Sequence, residues 1–243
     1  PPRSTLFPYT TLFRSASTTS IVGGGNEAKP GEISLAHNGV LFMDEFPEFR
    51  RDVIEALRQP VEDGVITVAR AKLTATYPAR FMLVVAQNPC PCGWYGDKTR
   101  ECTCSWYDIQ RYNRKISGPM EDRIDIFVEM PRLDFDKYMD TSTSESSDSI
   151  RERVVRARER QTRRYRGMKL FSNSQLSHAL LKEYVILDPA SRSILSGAAD
   201  RMKLTGRAID RILKVALTIA DLEESPVLAR HIAEAIQYRK KQE

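Results

Sequence analysis

The stretch GVLFMDE, residues 39–45, carries the strongest structural signal in this chain. Its apolar run from Val40 to Met43 predicts a buried strand, and Asp44 and Glu45 place two carboxylates directly after it. In open parallel α/β sheets, ligands bind outside the carboxyl ends of the strands, which is where these carboxylates are expected. Acidic residues also end strands by chance, so this interpretation depends on the residues around the stretch.

Further strand and helix patterns lie downstream. FMLVVAQNPC, residues 81–90, predicts a second buried strand, and DIFVEM, residues 125–130, predicts a third. Between the first two runs, FRRDVIEALRQPVEDG, residues 49–64, has the periodicity of a helix. This alternation predicts an α/β core in which a parallel sheet is flanked by helices.

Three polar residues accompany these elements in an order that favours phosphate chemistry. Asn88 ends the second strand, Arg123 precedes the third, and Arg207 lies in the first turn of a predicted helix, where the helix N-terminus also favours phosphate. Ordinary alternatives exist, with Asn88 as a turn residue and Arg207 as a solvated one. Arg123 could instead pair with Asp122 or Asp125. Taken singly, each residue favours the ordinary structural role. Their occurrence in this order along the chain favours a role in phosphate chemistry.

The chain divides into three regions after its first 15 residues. Residues 16–133 carry the strand and helix alternation, and residues 134–149, DFDKYMDTSTSESSDS, have the acidic, Ser- and Thr-rich composition of a linker. Residues 150–243 predict an all-α domain. Its predicted helices span 150–166, 173–184, 189–203, 206–222 and 227–240.

The net charge of +5 is unevenly distributed. Residues 1–149 hold 17 Lys and Arg against 21 Asp and Glu, whereas residues 150–243 hold 20 against 11. The densest basic run, RERVVRARERQTRRYR at 151–166, predicts either a solvated helix face or a surface that binds nucleic-acid phosphates. For the second alternative the candidate contacts are Arg156, Arg160 and Arg163.

No apolar run in the sequence approaches the length of a membrane span, and no signal peptide pattern is present. These features predict a soluble, cytoplasmic protein with no membrane partner.

Four segments together resemble one known family. GEISLAHNGVLFMDEFPEF (31–49), YPARFMLVVAQNPCPCG (77–93), ISGPMEDRIDI (116–126) and GRAIDRILKVALTIADL (206–222) are similar to the magnesium-chelatase-like AAA+ ATPases, specifically their ComM/YifB branch. The resemblance covers residues 16–243. It implies an AAA+ nucleotide-binding core followed by an all-α lid domain, ATP and Mg²⁺ as cofactors, and a hexameric ring with ATP between subunits.

The resemblance also implies a role for each candidate site residue. Asp44 and Glu45 match the Walker B pair, of which the Asp holds Mg²⁺ through water and the Glu polarises the attacking water. Asn88 matches sensor 1, and Arg207 matches sensor 2. Arg123 matches the arginine finger, which acts on the nucleotide of a neighbouring subunit.

The sequence departs from this family at its start. Nothing in the 243 residues matches the P-loop pattern GxxxxGK[ST], because Gly23-Gly24-Gly25 lacks the Lys-Ser/Thr pair. Residues 1–15, PPRSTLFPYTTLFRS, contain a translated sequencing-adapter sequence. We therefore expect residues 1–15 to be an unstructured artefact and the chain to be an N-terminally truncated fragment that neither binds nor hydrolyses ATP by itself.

Residues 65–77 predict a hairpin, with strands at 65–69 and 73–77 and a tip that holds Arg70 and Lys72. Related helicase-type AAA+ proteins direct such a hairpin into the ring pore, which implies that these two side chains contact DNA. An ordinary solvated turn explains the pattern equally well.

All four cysteines lie within CPCGWYGDKTRECTC. Cys90, Cys92, Cys102 and Cys104 could bind zinc as tetrahedral thiolates, although the C-x-C spacing is tighter than the usual C-x₂-C. Disulfides are the poorer alternative in a cytosolic protein.

The motifs and the resemblance together favour an ATP-driven DNA motor of the branch-migration helicase kind, acting in transformation and recombination. One alternative is the motor subunit of a metal chelatase. The other is an interaction or oligomerisation piece without catalytic activity.

Overall fold

The computed structural model describes residues 9–12, 17–25, 27–70, 73–97, 99–130 and 145–239. These residues form two compact units, Pro1–Arg123 and Ile124–Glu243. The first unit is mixed α/β with a parallel sheet, and the second is helical, so the predicted fold class is confirmed. Among the described helices, none combines the length and apolar character that crossing a bilayer requires.

The elements of the first unit follow the alternation that the sequence predicts. Its strands are β1 (Tyr9–Leu12), β2 (Gly23–Gly24), β3 (Lys29–Pro30), β4 (Val40–Met43), β5 (Val65–Arg70), β6 (Leu73–Pro78) and β7 (Met82–Val85). Its helices are α1 (Thr18–Val22), α2 (Glu32–Leu35), α3 (Arg51–Ala56), α4 (Arg58–Asp63), α5 (Trp106–Asn113) and α6 (Gly118–Glu121).

The central sheet has the order β1-β4-β7, and both pairings are parallel. Strand β4 lies in the middle, with Val40 opposite Tyr9 on one side and Met82 on the other. Leu41 and Met43 are fully buried, because the helices pack their apolar side chains against this face. The core members contributed by those helices include Ile21, Ile33, Val53, Ile54 and Met120.

Strand β1 corrects one prediction. Residues 1–15 were expected to be unstructured, yet Tyr9–Leu12 pairs with β4 over four residues. The YTTL composition is aromatic and β-branched, which suits a strand. Residues 1–8 and 13–16 lie outside the described part of the chain.

The predicted third strand, residues 125–130, is wrong. This segment belongs to the second unit and forms neither a strand nor a helix in the described structure. Its backbone is held by the C-terminal end of the chain instead, since Phe127 N donates to the carbonyl oxygen of Tyr238 at 2.8 Å and Arg239 donates to the carbonyl oxygen of Ile124. Val128 and Met130 are 62% and 85% exposed, so a buried-strand pattern here lies at the surface.

The predicted hairpin is confirmed. Strands β5 and β6 pair antiparallel from Val65 opposite Pro78 to Arg70 opposite Leu73. Alternate side chains such as Ile66 and Val68 are buried, and their neighbours face solvent.

Four helices of the second unit begin within three residues of their predicted starts, and most helices of the unit carry a side-chain N-cap. The helix predicted at 173–184 begins later, at His178, because Asn173–Gln175 forms a separate 3₁₀ turn. The oxygens of Ser146, Ser177, Asp188 and Thr205 each accept the backbone N–H three residues ahead. The helices are α7 (Ser147–Arg164), α8 (His178–Tyr184), α9 (Pro189–Met202), α10 (Gly206–Leu222) and α11 (Ala229–Gln237).

A buried polar network joins α7 to α10. Asp221 is fully buried and forms an ion pair with Arg164, whose Nη1 donates to Asp221 Oδ2 at 2.8 Å. Asn173 Nδ2 donates to the same oxygen at 2.9 Å, and the Tyr165 hydroxyl donates to Asn173 Oδ1 at 2.6 Å. The hydrogen bond and the charge of Asp221 raise the pKa of Arg164, while burial raises the pKa of Tyr165. Part of the basic run at 151–166 therefore has a structural role.

We expect Arg164→Ala to lower the free energy of unfolding by about 3 kcal/mol, because it leaves the Asp221 carboxylate buried without its main partner. Arg163→Ala changes the neighbouring, exposed arginine and should alter stability by no more than about 0.5 kcal/mol. Urea unfolding of both variants followed by circular dichroism makes the comparison. Equal effects of the two substitutions would contradict a stabilising role for the pair.

Candidate active site

Two backbone hydrogen bonds hold the carboxyl ends of β4 and β7 together. Ala86 N donates to the carbonyl oxygen of Met43 at 3.0 Å, and Phe46 N donates to the carbonyl oxygen of Ala86 at 2.9 Å. These bonds continue the parallel ladder beyond the last paired residues. Asp44 and Glu45 therefore leave the sheet beside the segment that leads to Asn88, as the sequence pattern predicts.

The backbone at Glu45 adopts a left-handed conformation. Its φ and ψ are 51° and 45°, which costs a residue with a Cβ about 1–2 kcal/mol. The Glu45 N–H donates to Asp44 Oδ1 at 2.8 Å, and the next residue, Phe46, is fully buried at the start of a 3₁₀ turn. The burial of Phe46 holds the turn in place, with Asp44 exposed to solvent and Glu45 half-buried. Strained backbone of this kind clusters at functional sites.

Asn88 is exposed two residues beyond Ala86, and its backbone lies close to the hydroxyl of Tyr112. Tyr112 lies on α5 and is almost fully buried, and this burial, with the nearby Glu48 carboxylate, raises the pKa of its hydroxyl. The hydroxyl is therefore protonated at neutral pH. Sequence reasoning missed Tyr112, because nothing local to its helix indicates a contact with a residue 24 positions earlier.

Arg123 is held against α4. Its guanidinium forms an ion pair with Glu62 and donates to the carbonyl oxygen of Pro119 at 2.6 Å, and its side chain is only 12% exposed. The predicted partners for the alternative role were Asp122 or Asp125; Asp125 forms an ion pair with Arg211 in the second unit. Glu62 was missed, because 61 residues separate it from Arg123 in the sequence.

Arg207 lies in the second unit. It is the second residue of α10 and is exposed, next to the N-cap Thr205, whose Oγ1 accepts the N–H of Ala208 at 3.2 Å. This position at a helix N-terminus agrees with the predicted location. The first unit brings together Asp44, Glu45 and Asn88, and it places Arg123 beside Glu62.

The three arginines predicted to contact nucleic acid differ in their surroundings. Arg156 forms an exposed ion pair with Glu224 at 2.9 Å, and Arg160 is partly buried, with its Nε 3.5 Å from an oxygen of Asp221. Arg163 is exposed. At the hairpin, Arg70 ends strand β5 and Lys72 lies outside the described residues.

The four cysteines come together, as zinc binding would require. Their Sγ atoms all lie within 4.8 Å of one another, and no disulfide joins them. Backbone N–H groups, that of Trp94 first, lower the pKa of Cys92 to about 5, whereas burial and the neighbouring thiols raise the pKa of Cys104 to about 12. The cluster follows Asn88 directly in the sequence.

Comparison with known proteins agrees with this arrangement of elements. The family model described as "Magnesium chelatase, subunit ChlI" matches residues 2–138, and the model of its C-terminal part matches residues 144–239. The chain belongs to the magnesium-chelatase-like ComM/YifB family. This confirms the resemblance that the motifs carry.

Members of the ComM/YifB family match almost the whole chain. The YifB protein of Escherichia coli is 42% identical over 234 residues, and the competence protein ComM of Haemophilus influenzae is 43% identical over 235 residues. Each match covers 96% of this chain and 45% of the relative, so the chain spans about half the length of these relatives. The DNA replication licensing factor Mcm6 of Drosophila melanogaster is 28% identical over 217 residues, which is 85% of this chain and 25% of that protein.

The left-handed turn leads to a stability prediction. Glu45→Gly should be more stable than Glu45→Ala by about 1 kcal/mol, because only glycine adopts this backbone conformation without cost. At a residue with ordinary backbone angles, the alanine variant should instead be the more stable of the two. Glu48→Gly and Glu48→Ala are the control pair for this comparison. Thermal unfolding of the four variants measures the difference. If the alanine variant is the more stable at Glu45, the turn is not strained.

Proposed function

We propose that these residues form part of a magnesium-dependent ATPase that moves DNA, acting in the cytoplasm as a hexameric ring of the branch-migration helicase kind. One observation carries the proposal. Two adjacent parallel strands end at the same edge of the sheet, where hydrogen bonds join their ends. One strand leads into the carboxylates of Asp44 and Glu45, and the other leads to the amide of Asn88. Membership of the ComM/YifB family supports this assignment.

The residues at the sheet edge fit a magnesium–nucleotide complex. The exposed Asp44 carboxylate uses one oxygen to accept the Glu45 N–H, and carboxylate oxygens are preferred ligands of Mg²⁺ and its bound water. When bound, Mg²⁺ neutralises charge on the phosphates of ATP. Asp44 would hold the metal, and Glu45 would orient the attacking water and accept its proton. The Asn88 amide would donate a hydrogen bond to the same water molecule.

The two arginines would supply positive charge to the phosphates. Arg207 is placed at the N-terminus of α10, where helix N–H groups also favour an anion. Arg123 would act on the nucleotide of a neighbouring subunit, which requires its guanidinium to exchange Glu62 for phosphate. The ion pair with Glu62 would hold the Arg123 guanidinium in place until a nucleotide arrives.

We expect Arg123→Ala in the complete gene product to lower ATP turnover about 10³-fold or more, with ATP affinity nearly unchanged, because the guanidinium stabilises charge in the transition state. Mixing this variant with Glu45→Gln subunits should recover part of the activity, since one interface in the mixed ring holds both functional groups. Steady-state ATPase assays across mixing ratios measure this recovery. Arg51→Ala, which removes an exposed arginine from α3, is the control and should retain turnover.

Recovery at no mixing ratio would contradict action between subunits, provided that the mixed rings are shown to form by native mass spectrometry.

Two observations support DNA as the partner. Arg70 ends strand β5, and the sequence places a second basic residue, Lys72, two positions later, between the two strands of the hairpin. The relatives include proteins named for competence and for DNA replication licensing. On the helical unit, Arg163 is the strongest of the three arginine candidates, because Arg156 and Arg160 already have acidic partners.

DNA binding should fall steeply with salt. The double variant Arg70→Ala/Lys72→Ala should reduce the slope of log K against log [salt] by about 1.4 units, the value for two lost phosphate contacts to a single strand. Fluorescence anisotropy of the complete gene product with a single-stranded oligonucleotide measures the slope. Arg201→Ala, which removes an exposed arginine from α9, is the control and should leave it unchanged. An unchanged slope in the double variant would assign the hairpin tip to an ordinary solvated turn.

The second candidate function is the motor subunit of a metal chelatase, and the chelatase descriptions of both family models favour it. The two functions differ in the partner that stimulates hydrolysis. Stimulation of ATP turnover by DNA supports the first, and stimulation only by a chelatase subunit supports the second. If the complete gene product hydrolyses no ATP under any of these conditions, the remaining alternative is a protein for interaction or oligomerisation without catalytic activity.

A further inference from the structure

We propose that Cys90, Cys92, Cys102 and Cys104 form a structural zinc centre that holds the segment after strand β7 in place. The four Sγ atoms all lie within 4.8 Å of one another. The Sγ atom of Cys90 is 3.4 Å from that of Cys92 and 3.7 Å from that of Cys102, and the latter two are 3.6 Å apart. Two C-x-C pairs separated by nine residues thus meet at one point.

These distances match a tetrathiolate metal site. Zinc binds thiolates at about 2.3 Å, which gives sulfur–sulfur edges of about 3.8 Å in a tetrahedron. A disulfide requires a sulfur–sulfur distance of about 2.0 Å, and none of the four thiols has formed one. The cluster therefore has room for one metal ion at its centre.

The segment that carries the cysteines has little else to order it. Its described residues between β7 and α5 form neither helix nor strand, and most are exposed or half-buried. A connection of this length without a core of its own needs another source of order. Cys90 is its one fully buried member among the described residues of 86–105, so the thiol cluster lies where the loop meets the protein.

Contacts around Cys90 resemble the outer shell of a thiolate metal site. The Tyr95 N–H donates to Cys90 Sγ at 3.4 Å, and Gly93 N donates to the carbonyl oxygen of Cys90 at 3.0 Å. Gly93 has a φ of +81°, which makes this tight turn possible. Donors of this kind orient a sulfur ligand and offset its charge.

The ligand set selects the metal. Four thiolates in a tetrahedron suit Zn²⁺ or iron, whereas Mg²⁺ and Ca²⁺ prefer oxygen ligands. Closed four-cysteine sites of structural type most commonly hold zinc, which adds folding free energy without redox chemistry. We therefore assign Zn²⁺ to the centre.

The centre also bears on Asn88, and this step rests on the proposed function. Asn88 precedes Cys90 by two residues, and a Cβ added to Gly93 would lie 3.9 Å from Asn88 Cγ. The turn within the thiol cluster thus packs beside the amide that would contact the attacking water. The cysteine residues are therefore positioning residues for Asn88.

The first test is metal analysis of the complete gene product, purified under reducing conditions without added metal. We expect about one zinc per chain, as in closed four-cysteine sites. Cys102→Ser and Cys104→Ser should each lose it, while Thr103→Ser, a control between the two ligands, should retain it. Absence of zinc in the wild type, iron in its place, or full zinc in Cys102→Ser would overturn the assignment.

A second measurement covers the case in which the cysteine variants fail to fold. Hydrogen exchange of the wild-type protein is followed before and after removal of zinc by a chelator. Exchange across residues 86–105 should become about tenfold faster or more, while α10 stays protected, because the loss of order is local. Unchanged exchange across 86–105 would overturn the structural role.

Loss of zinc should also lower ATP turnover, with ATP affinity less affected, since Asn88 acts on the attacking water. If zinc is lost and ATP turnover is unchanged, the cysteines do not position Asn88, although the zinc centre itself is still supported. A wild-type protein that holds zinc and shows no turnover would contradict the proposed function alone.

Discussion

Parallel pairing between β4 and β7 is the constraint on which the candidate site depends. Strand β4 is fixed by the complete burial of Leu41 and Met43, and its register with β7 sets which residues leave the sheet together. A shift of one residue would turn the buried face outward, so the register is strongly determined. Asp44 and Asn88 share one edge as a consequence of core packing and need no direct bond between them.

The site also depends on strain that the core maintains. Glu45 takes a left-handed backbone conformation because Phe46, one residue later, is fully buried and its N–H is bonded to Ala86. The hydrophobic free energy of a buried phenylalanine, about 2–3 kcal/mol, exceeds the cost of the turn. Part of the free energy gained by burying Phe46 therefore offsets the cost of the left-handed backbone at Glu45.

Local sequence patterns predicted much of the fold and the centre of the site. Apolar runs and a strand end located β4, β7 and the Asp44–Glu45 pair, and caps and glycines located the helices of the second unit. These sequence patterns failed to predict secondary structure where contacts with a distant part of the chain determine it. The run at 125–130 has a strand-like composition but is held by Tyr238 and Arg239, and Tyr9–Leu12 forms a strand because β4 offers it an edge.

Long-range partners could not be predicted for the same reason. Three partners lie between 24 and 61 residues along the chain from the residues beside them: Glu62 beside Arg123, Tyr112 beside Asn88, and Asp221 beside Arg164. No periodicity or motif links such positions. The cysteines are the exception, because metal ligands come in short spaced pairs that the sequence shows directly.

The central claim is that Glu45 and Asn88 act on the same water molecule. A double-mutant cycle tests it most directly, with kcat for ATP hydrolysis measured in the complete gene product for Glu45→Gln, Asn88→Ala and the two combined. Groups that act as a unit are not additive, so the double variant should be within about threefold of the slower single variant. Multiplication of the two effects, or wild-type turnover in either single variant, would contradict the account.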